Sequence, residues 1–136
     1  MFGGKTTKPQ NRIDSLIGEA TTVEGNVLFT GGLRIDGRVK GNVQSSDDQP
    51  GTLVLSERAR VEGEIHVSHA VINGTVVGPV FGTQYVELQA KCKVTGDVHY
   101  RTLEIQLGAV VQGRLVHEED PGGQTALALG APATAD

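Results

Sequence analysis

The chain has 136 residues, enough for one ordinary domain with tails. Its 19 glycines, absent tryptophan and five Tyr and Phe residues exclude a core of stacked aromatics and leave Val, Leu and Ile to fill the interior. No apolar run nears the ~18 residues of a membrane span, no G-X-Y period marks a collagen, and a net charge of -4 argues against a nucleic-acid binder.

Residues 1–12 carry Lys5, Lys8 and Arg12 and no acid. They lack the apolar stretch of a secretory signal and read as a disordered basic tail. Residues 118–136 carry Glu118, Glu119, Asp120 and Asp136 and no base, within an Ala/Leu/Pro-rich stretch, and read as a disordered acidic tail. Residues 13–117 form the body. Cys92 has no second cysteine to pair with, which fits a reducing compartment.

Along the body one pattern recurs: apolar, any, Gly, any, apolar. It appears first as Val23-Glu24-Gly25-Asn26-Val27 and then as Val39-Lys40-Gly41-Asn42-Val43. It returns centred on Gly63, Gly78, Gly96 and Gly113, at successive spacings of 16, 22, 15, 18 and 17 residues. Apolar residues alternate upstream as well: Leu53 and Leu55 precede Ala59 and Val61, Val86 and Leu88 precede Cys92 and Val94, and Leu103 and Ile105 precede Ala109 and Val111. Period-2 alternation predicts strands, and no helical period competes with it. Short strands returning every 17–18 residues describe a single-stranded parallel β-helix of about six rungs, ~4.8 Å apart. The irregular spacing leans toward a right-handed helix and away from the strict six-residue period of left-handed ones.

The long spacing holds Gln44-Ser45-Ser46-Asp47-Asp48-Gln49-Pro50-Gly51, a predicted loop, and the short one holds a tightened corner at Ile72-Asn73-Gly74-Thr75-Val76. Stacking predicts columns. Glu24, Lys40 and Glu62 would alternate in charge, Asn26 and Asn42 would form an amide ladder, and Asp97 would neighbour Arg114. Cys92 falls where Ala59 and Ala109 fall, so it reads as a small buried side chain and not as a nucleophile.

Ile13-Asp14-Ser15-Leu16-Ile17-Gly18, followed by Phe29-Thr30-Gly31-Gly32-Leu33-Arg34-Ile35-Asp36-Gly37 and the later glycine repeats, resembles the bactofilins over residues 13–117. The resemblance implies a right-handed parallel β-helix that polymerises end to end without nucleotide or cofactor. It also implies a bacterial cytoplasmic scaffold on the inner face of the cytoplasmic membrane that recruits peptidoglycan-remodelling, cell-division or polarity proteins.

Polymerisation also follows from the residues. A stack of rungs has two open ends, solenoids need polar caps to stay monomeric, and neither tail offers an amphipathic cap. The residues expected at the junction are Ile13, Leu16 and Ile17 at one end and Leu103, Ile105, Leu115 and Val116 at the other. Terminal contacts in the family often include an aromatic in the last rung, and this chain has no Phe, Tyr or Trp after Tyr100.

Met1-Phe2-Gly3-Gly4-Lys5 resembles the family's N-terminal membrane-targeting peptide. Met1 and Phe2 would enter the interface while Lys5, Lys8 and Arg12 meet anionic lipid, at about 1 kcal/mol per base. A filament would multiply this weak contact. Residue 2 is Phe, so the myristoylation motif is missing.

The rival reading is a β-helical enzyme, such as a trimeric zinc carbonic anhydrase or a hexapeptide acyltransferase. Catalytic zinc needs three protein ligands around one open position. The register predicts His66 and His99 two rungs apart, about 10 Å, with Phe81 between them. They cannot share an ion there, and no metal ligand or catalytic residue is assigned. The acyltransferase reading needs a regular six-residue repeat that this chain lacks. No phosphate-binding glycine loop is present either.

Overall fold

The computed structural model describes residues 12–119, and within them every regular element is a β-strand. The first rung comprises β1 (Ser15–Ile17), β2 (Thr22–Glu24) and β3 (Val27–Phe29). The second has β4 (Gly31–Ile35), β5 (Arg38–Lys40) and β6 (Val43–Ser45). The third has β7 (Gly51–Leu55), β8 (Arg60–Glu62) and the start of β9 (Ile65–Ile72), which runs on into the fourth. The fourth adds β10 (Thr75–Val77) and the start of β11 (Val80–Leu88), whose second half opens the fifth. The fifth closes with β12 (Lys93–Thr95) and β13 (Val98–Tyr100), and the sixth is β14 (Leu103–Ile105), β15 (Val110–Gln112) and β16 (Leu115–His117).

All pairings are parallel, so the chain is a β-helix of about six rungs, as the repeat predicts. A six-stranded sheet, β15-β12-β10-β8-β5-β2, makes one face. A ten-stranded sheet, with β1-β4-β7-β9-β11-β13-β16 as its main path, makes the other two.

The repeat builds the core because side chains two apart on a strand share a face. Val23, Val39, Val61, Val76, Val94 and Val111 stand in register through the rungs. So do Ile17, Ile35, Leu55, Ile72, Leu88 and Ile105. In the middle rungs these side chains are buried, each contributing about 1.5–3 kcal/mol. Cys92 is buried beneath Ala109 as expected, and burial pushes its thiol pKa up.

The repeat glycines stack directly. Gly63 has φ +154°, and a Cβ there would fall on the carbonyl of Gly41, 2.5 Å from its carbon. No side chain fits where one backbone crosses another this closely. The amide ladder takes a different form from the one expected. Asn26 Oδ1 accepts the backbone N–H of Asn42 at 2.9 Å, and Asn42 Oδ1 accepts that of Glu64 at 2.9 Å. Each amide therefore caps a backbone donor one rung on, where the corner breaks the strand ladder.

Four of the first corners in each rung are closed by a backbone bond across three residues, at Gly18–Thr21, Ser56–Ala59, Gln89–Cys92 and Gln106–Ala109. Two are shorter, at Asp36-Gly37 and Asn73-Gly74, and the second is the tightened corner read from the sequence. The predicted loop lies between β6 and β7. Ser68 pins its far end, donating to Gly51 O and accepting from Gly51 N, each at 2.8 Å.

Candidate functional site: the two ends of the stack

Each middle rung is covered above and below, whereas the outer rungs pair on one side only. β1, β2 and β3 pair with β4, β5 and β6 and with nothing beyond them among the described residues. At the other end, β14, β15 and β16 pair only with β11, β12 and β13. Every strand at either end thus presents an unpaired row of N–H and C=O groups, a template for another chain. No helix or further strand among the described residues covers either end.

The inward columns end in the same way. Ile105 is 47% exposed and Leu115 45%, while Ile72 and Ile65 in their columns are 0% exposed. The chemistry is alike along each column, so the exposure measures the missing neighbour. Ile17 and Leu103 are half-buried and face inward, and Ile13 is exposed just before β1. Leu16 and Val116 have the opposite parity. Leu16 stands beside Arg34 and Val116 beside His99, so both lie on the outer wall and not on the inward edge. The sequence read end by end does not single out Val23, Val27 and Val111. They pack on the core from the outer rungs, and their place in the repeat is the signal that finds them.

The glycine column is open as well. A Cβ on Gly25 would meet none of the described residues within 4 Å, whereas one on Gly41, Gly63, Gly78, Gly96 or Gly113 would fall on the preceding glycine's carbonyl. The first rung therefore offers a backbone-sized space above Gly25.

The outer rungs are tied to the stack by polar contacts. Asp14 Oδ2 accepts the N–H of Gly32 at 2.8 Å and Oδ1 accepts Arg12 Nε at 2.9 Å. The Gly32 N–H, with Arg12 beside it, holds the Asp14 carboxyl below the usual range. Asp97 Oδ1 accepts the N–H of Arg114 at 2.9 Å, and that bond followed by the Arg114 guanidinium lowers its pKa, as their expected proximity allows. Tyr85 donates its hydroxyl to Glu104 at 2.6 Å, and burial followed by this bond raises the phenol pKa.

Of the residues expected at a membrane, Met1, Phe2, Lys5 and Lys8 lie outside the described residues. Arg12 is exposed and paired with Asp14. His66, Phe81 and His99 stack as the register requires, with ring centroids 4.4 Å apart at each step. His66 meets Glu64 at 2.8 Å and His99 meets Glu118 at 2.8 Å, and no group of three or more His, Cys, Asp or Glu among the described residues is arranged around a metal position.

A family model described as bactofilin, polymer-forming cytoskeletal, matches residues 15–116. Bactofilin BacP of Myxococcus xanthus (strain DK1622) is 27% identical over 124 residues, covering 90% of this chain. The chain spans about half the length of that relative, 50%. Bactofilin BacO of the same organism is 28% identical over 114 residues, 84% of this chain and 85% of BacO. A stretch of 101 residues is 32% identical to part of a probable ribonuclease FAU-1 of Thermofilum pendens (strain DSM 2475 / Hrk 5), but covers only 18% of that protein. No solved structure matches the chain. With the family model spanning most of the sequence, the chain belongs to the bactofilins, a family of polymer-forming cytoskeletal proteins.

Proposed function

We propose that this chain is a scaffold that polymerises without nucleotide by stacking the open ends of its β-helix on further copies. The observation that carries this reading is the uncovered edge at both ends: unpaired strands and half-exposed Ile105 and Leu115, in columns otherwise buried. A contact that recreates one more rung at each end leaves a new open end every time, so the assembly is an open filament. Ile13, Ile17, Leu103, Ile105 and Leu115 form the edge-on contact, with Leu16 and Val116 beside it on the wall.

In the same proposal residues 1–12 are a tail that tethers the filament to the inner face of the cytoplasmic membrane. Met1 and Phe2 enter the interface, and Lys5, Lys8 and Arg12 meet anionic headgroups. One tail binds weakly and many tails on one filament bind firmly. Residues 13–117 supply the polymer, residues 118–136 an acidic tail, and the assembled surface recruits proteins that act on the cell envelope.

Negative-stain microscopy of the purified chain without nucleotide tests the core of this reading. Long filaments are expected from the wild type, and short particles from Leu115→Arg, which places a charge on the inward edge of the last rung. Uniform closed particles from both would sink it.

A further inference from the structure

The outer wall carries its own pattern at the two ends, visible when each outward position is followed through the rungs. Leu107 occupies the corner position held by Glu19, Glu57 and Ala90 in the other long corners. Val110 stands where Thr22, Arg38, Arg60, Thr75 and Lys93 stand in the five rungs below. Leu28 is followed in its column by Gln44 and His66, and Leu16 by Arg34. Leu107 is 97% exposed, Leu28 73% and Leu16 60%.

An outward apolar side chain in a middle rung is flanked on both sides. Phe81, sandwiched between the rings of His66 and His99, is half-buried for that reason. On an outer rung one flank is missing, so an apolar residue there exposes the most surface. A solenoid that ended in water would carry polar residues at these positions. Here the three most exposed large apolar side chains, Leu107, Leu28 and Leu16, all stand on the outer rungs, whereas outward apolar residues further in, such as Val54, Val71 and Phe81, are half-buried.

The arrangement also says what covers them. Leu16 lies on the β1 face, Leu28 on the β3 face, and Leu107 with Val110 at the corner between β14 and β15. A lateral neighbour would need an apolar stripe along one face, but Arg34, Gln44 and Lys93 stand directly beside Leu16, Leu28 and Val110 and interrupt it. Two leucines on different faces of the first rung and an apolar pair at one corner of the last share no single face but do share the two ends, which fits a partner arriving along the axis. We propose that the junction between copies is sealed by an apolar collar on the outer wall, formed by Leu16 and Leu28 at the first rung and Leu107 and Val110 at the last, each covered by the wall of a second copy. This rests on the end-to-end reading above and extends the contact from the open edge to its rim.

Substitutions that copy the molecule's own middle rungs test it. Leu28→Gln installs the residue of Gln44, and Leu107→Glu that of Glu57, so each column already tolerates the new side chain in the fold. The full-length double variant is compared with wild type by sedimentation over a concentration series and by microscopy, with circular dichroism reporting the fold. Val54→Arg, which repeats Arg34 one rung further in, is the control. The collar predicts a critical concentration raised about tenfold or more per leucine, with an unchanged spectrum and wild-type assembly by Val54→Arg. Wild-type assembly by the double variant overturns the collar, as does an equal loss in Val54→Arg. Filaments of normal length that merely cease to bundle would move these leucines to a lateral contact and overturn it too. A wild type that forms no polymer at all overturns the stacking reading itself, and the collar with it.

Discussion

Middle and outer rungs are made from the same residues and behave differently. Ile72 and Ile105 share a column, as do Gly63 and Gly25 in the repeat, yet the first of each pair is enclosed and the second open. Side-chain chemistry does not account for the difference. In a solenoid each rung is completed by its neighbours, so a residue's burial depends on its rung number as well as on its type. The outer rungs have the composition of interior ones without the cover, which is the condition of a subunit that another copy finishes.

The largest expected effect breaks this comparison at the glycines. Gly63→Ala would drive a methyl into the Gly41 backbone at φ +154°, and the neighbouring rung cannot move without losing its ladder. A loss of about 3–5 kcal/mol is expected, read as a melting temperature lower by more than about 10 °C or as protein lost to the insoluble fraction. Gly25→Ala has the strain of φ +133° alone, about 1–3 kcal/mol, because open space lies above it. It is expected to fold, and to assemble poorly because the methyl fills the space a second backbone would take. Equal melting temperatures for the two variants would show that Gly25 is already enclosed.

A smaller contrast sharpens the same point in the core. Ile72→Ala removes a fully buried side chain from the middle of a column and should cost about 2–5 kcal/mol in denaturant unfolding. Ile105→Ala removes one that is about half covered, and in dilute unassembled protein should cost about half as much. Above the assembly threshold the two costs should converge, because a stacked copy buries Ile105. Costs that stay apart at every concentration would place Ile105 outside the junction.

The repeat made much of this legible in advance. Period-2 alternation around a recurrent glycine defined the strands, the spacings located the loop and the tight corner, and stacking the copies placed Phe81 between His66 and His99. What was harder to read lay across the rungs. Leu16 is one residue from Ile17 and looks like the same apolar end, but parity turns it outward to stand beside Arg34. Leu28 and Leu107 look ordinary in a scan along the chain, and stand out only beside Gln44 and Glu57 in their columns. The asparagines were recognised as stacked, but that each amide oxygen serves the next rung's backbone depends on how far the corner opens the ladder.

The smallest expected effect concerns the ties of the outer rungs. Asp97 binds the fifth rung to the sixth through the Arg114 N–H and guanidinium, and its carboxyl is held below its ordinary 3.8. A carboxyl with a lowered folded-state pKa adds stability above its unfolded value and loses it as the pH falls through the folded one. The Asp97 contribution is therefore whole at about pH 5 and fades below about pH 3.8, and Asp14 does the same for the first rung. Asp97→Asn keeps an oxygen for the Arg114 N–H and loses the charge. Because that ion pair is exposed, the melting temperature at neutral pH should move by no more than a degree or two. In acid the variant should lose stability less steeply than wild type, one titrating group having been removed. Glu62 in the middle of the stack is also held low, first by its bond to Arg60. An acid slope unchanged in Asp97→Asn but flattened in Glu62→Gln would place the acid sensitivity in the middle rungs, and would mean that the outer rungs are held by their hydrophobic columns and not by their carboxylates.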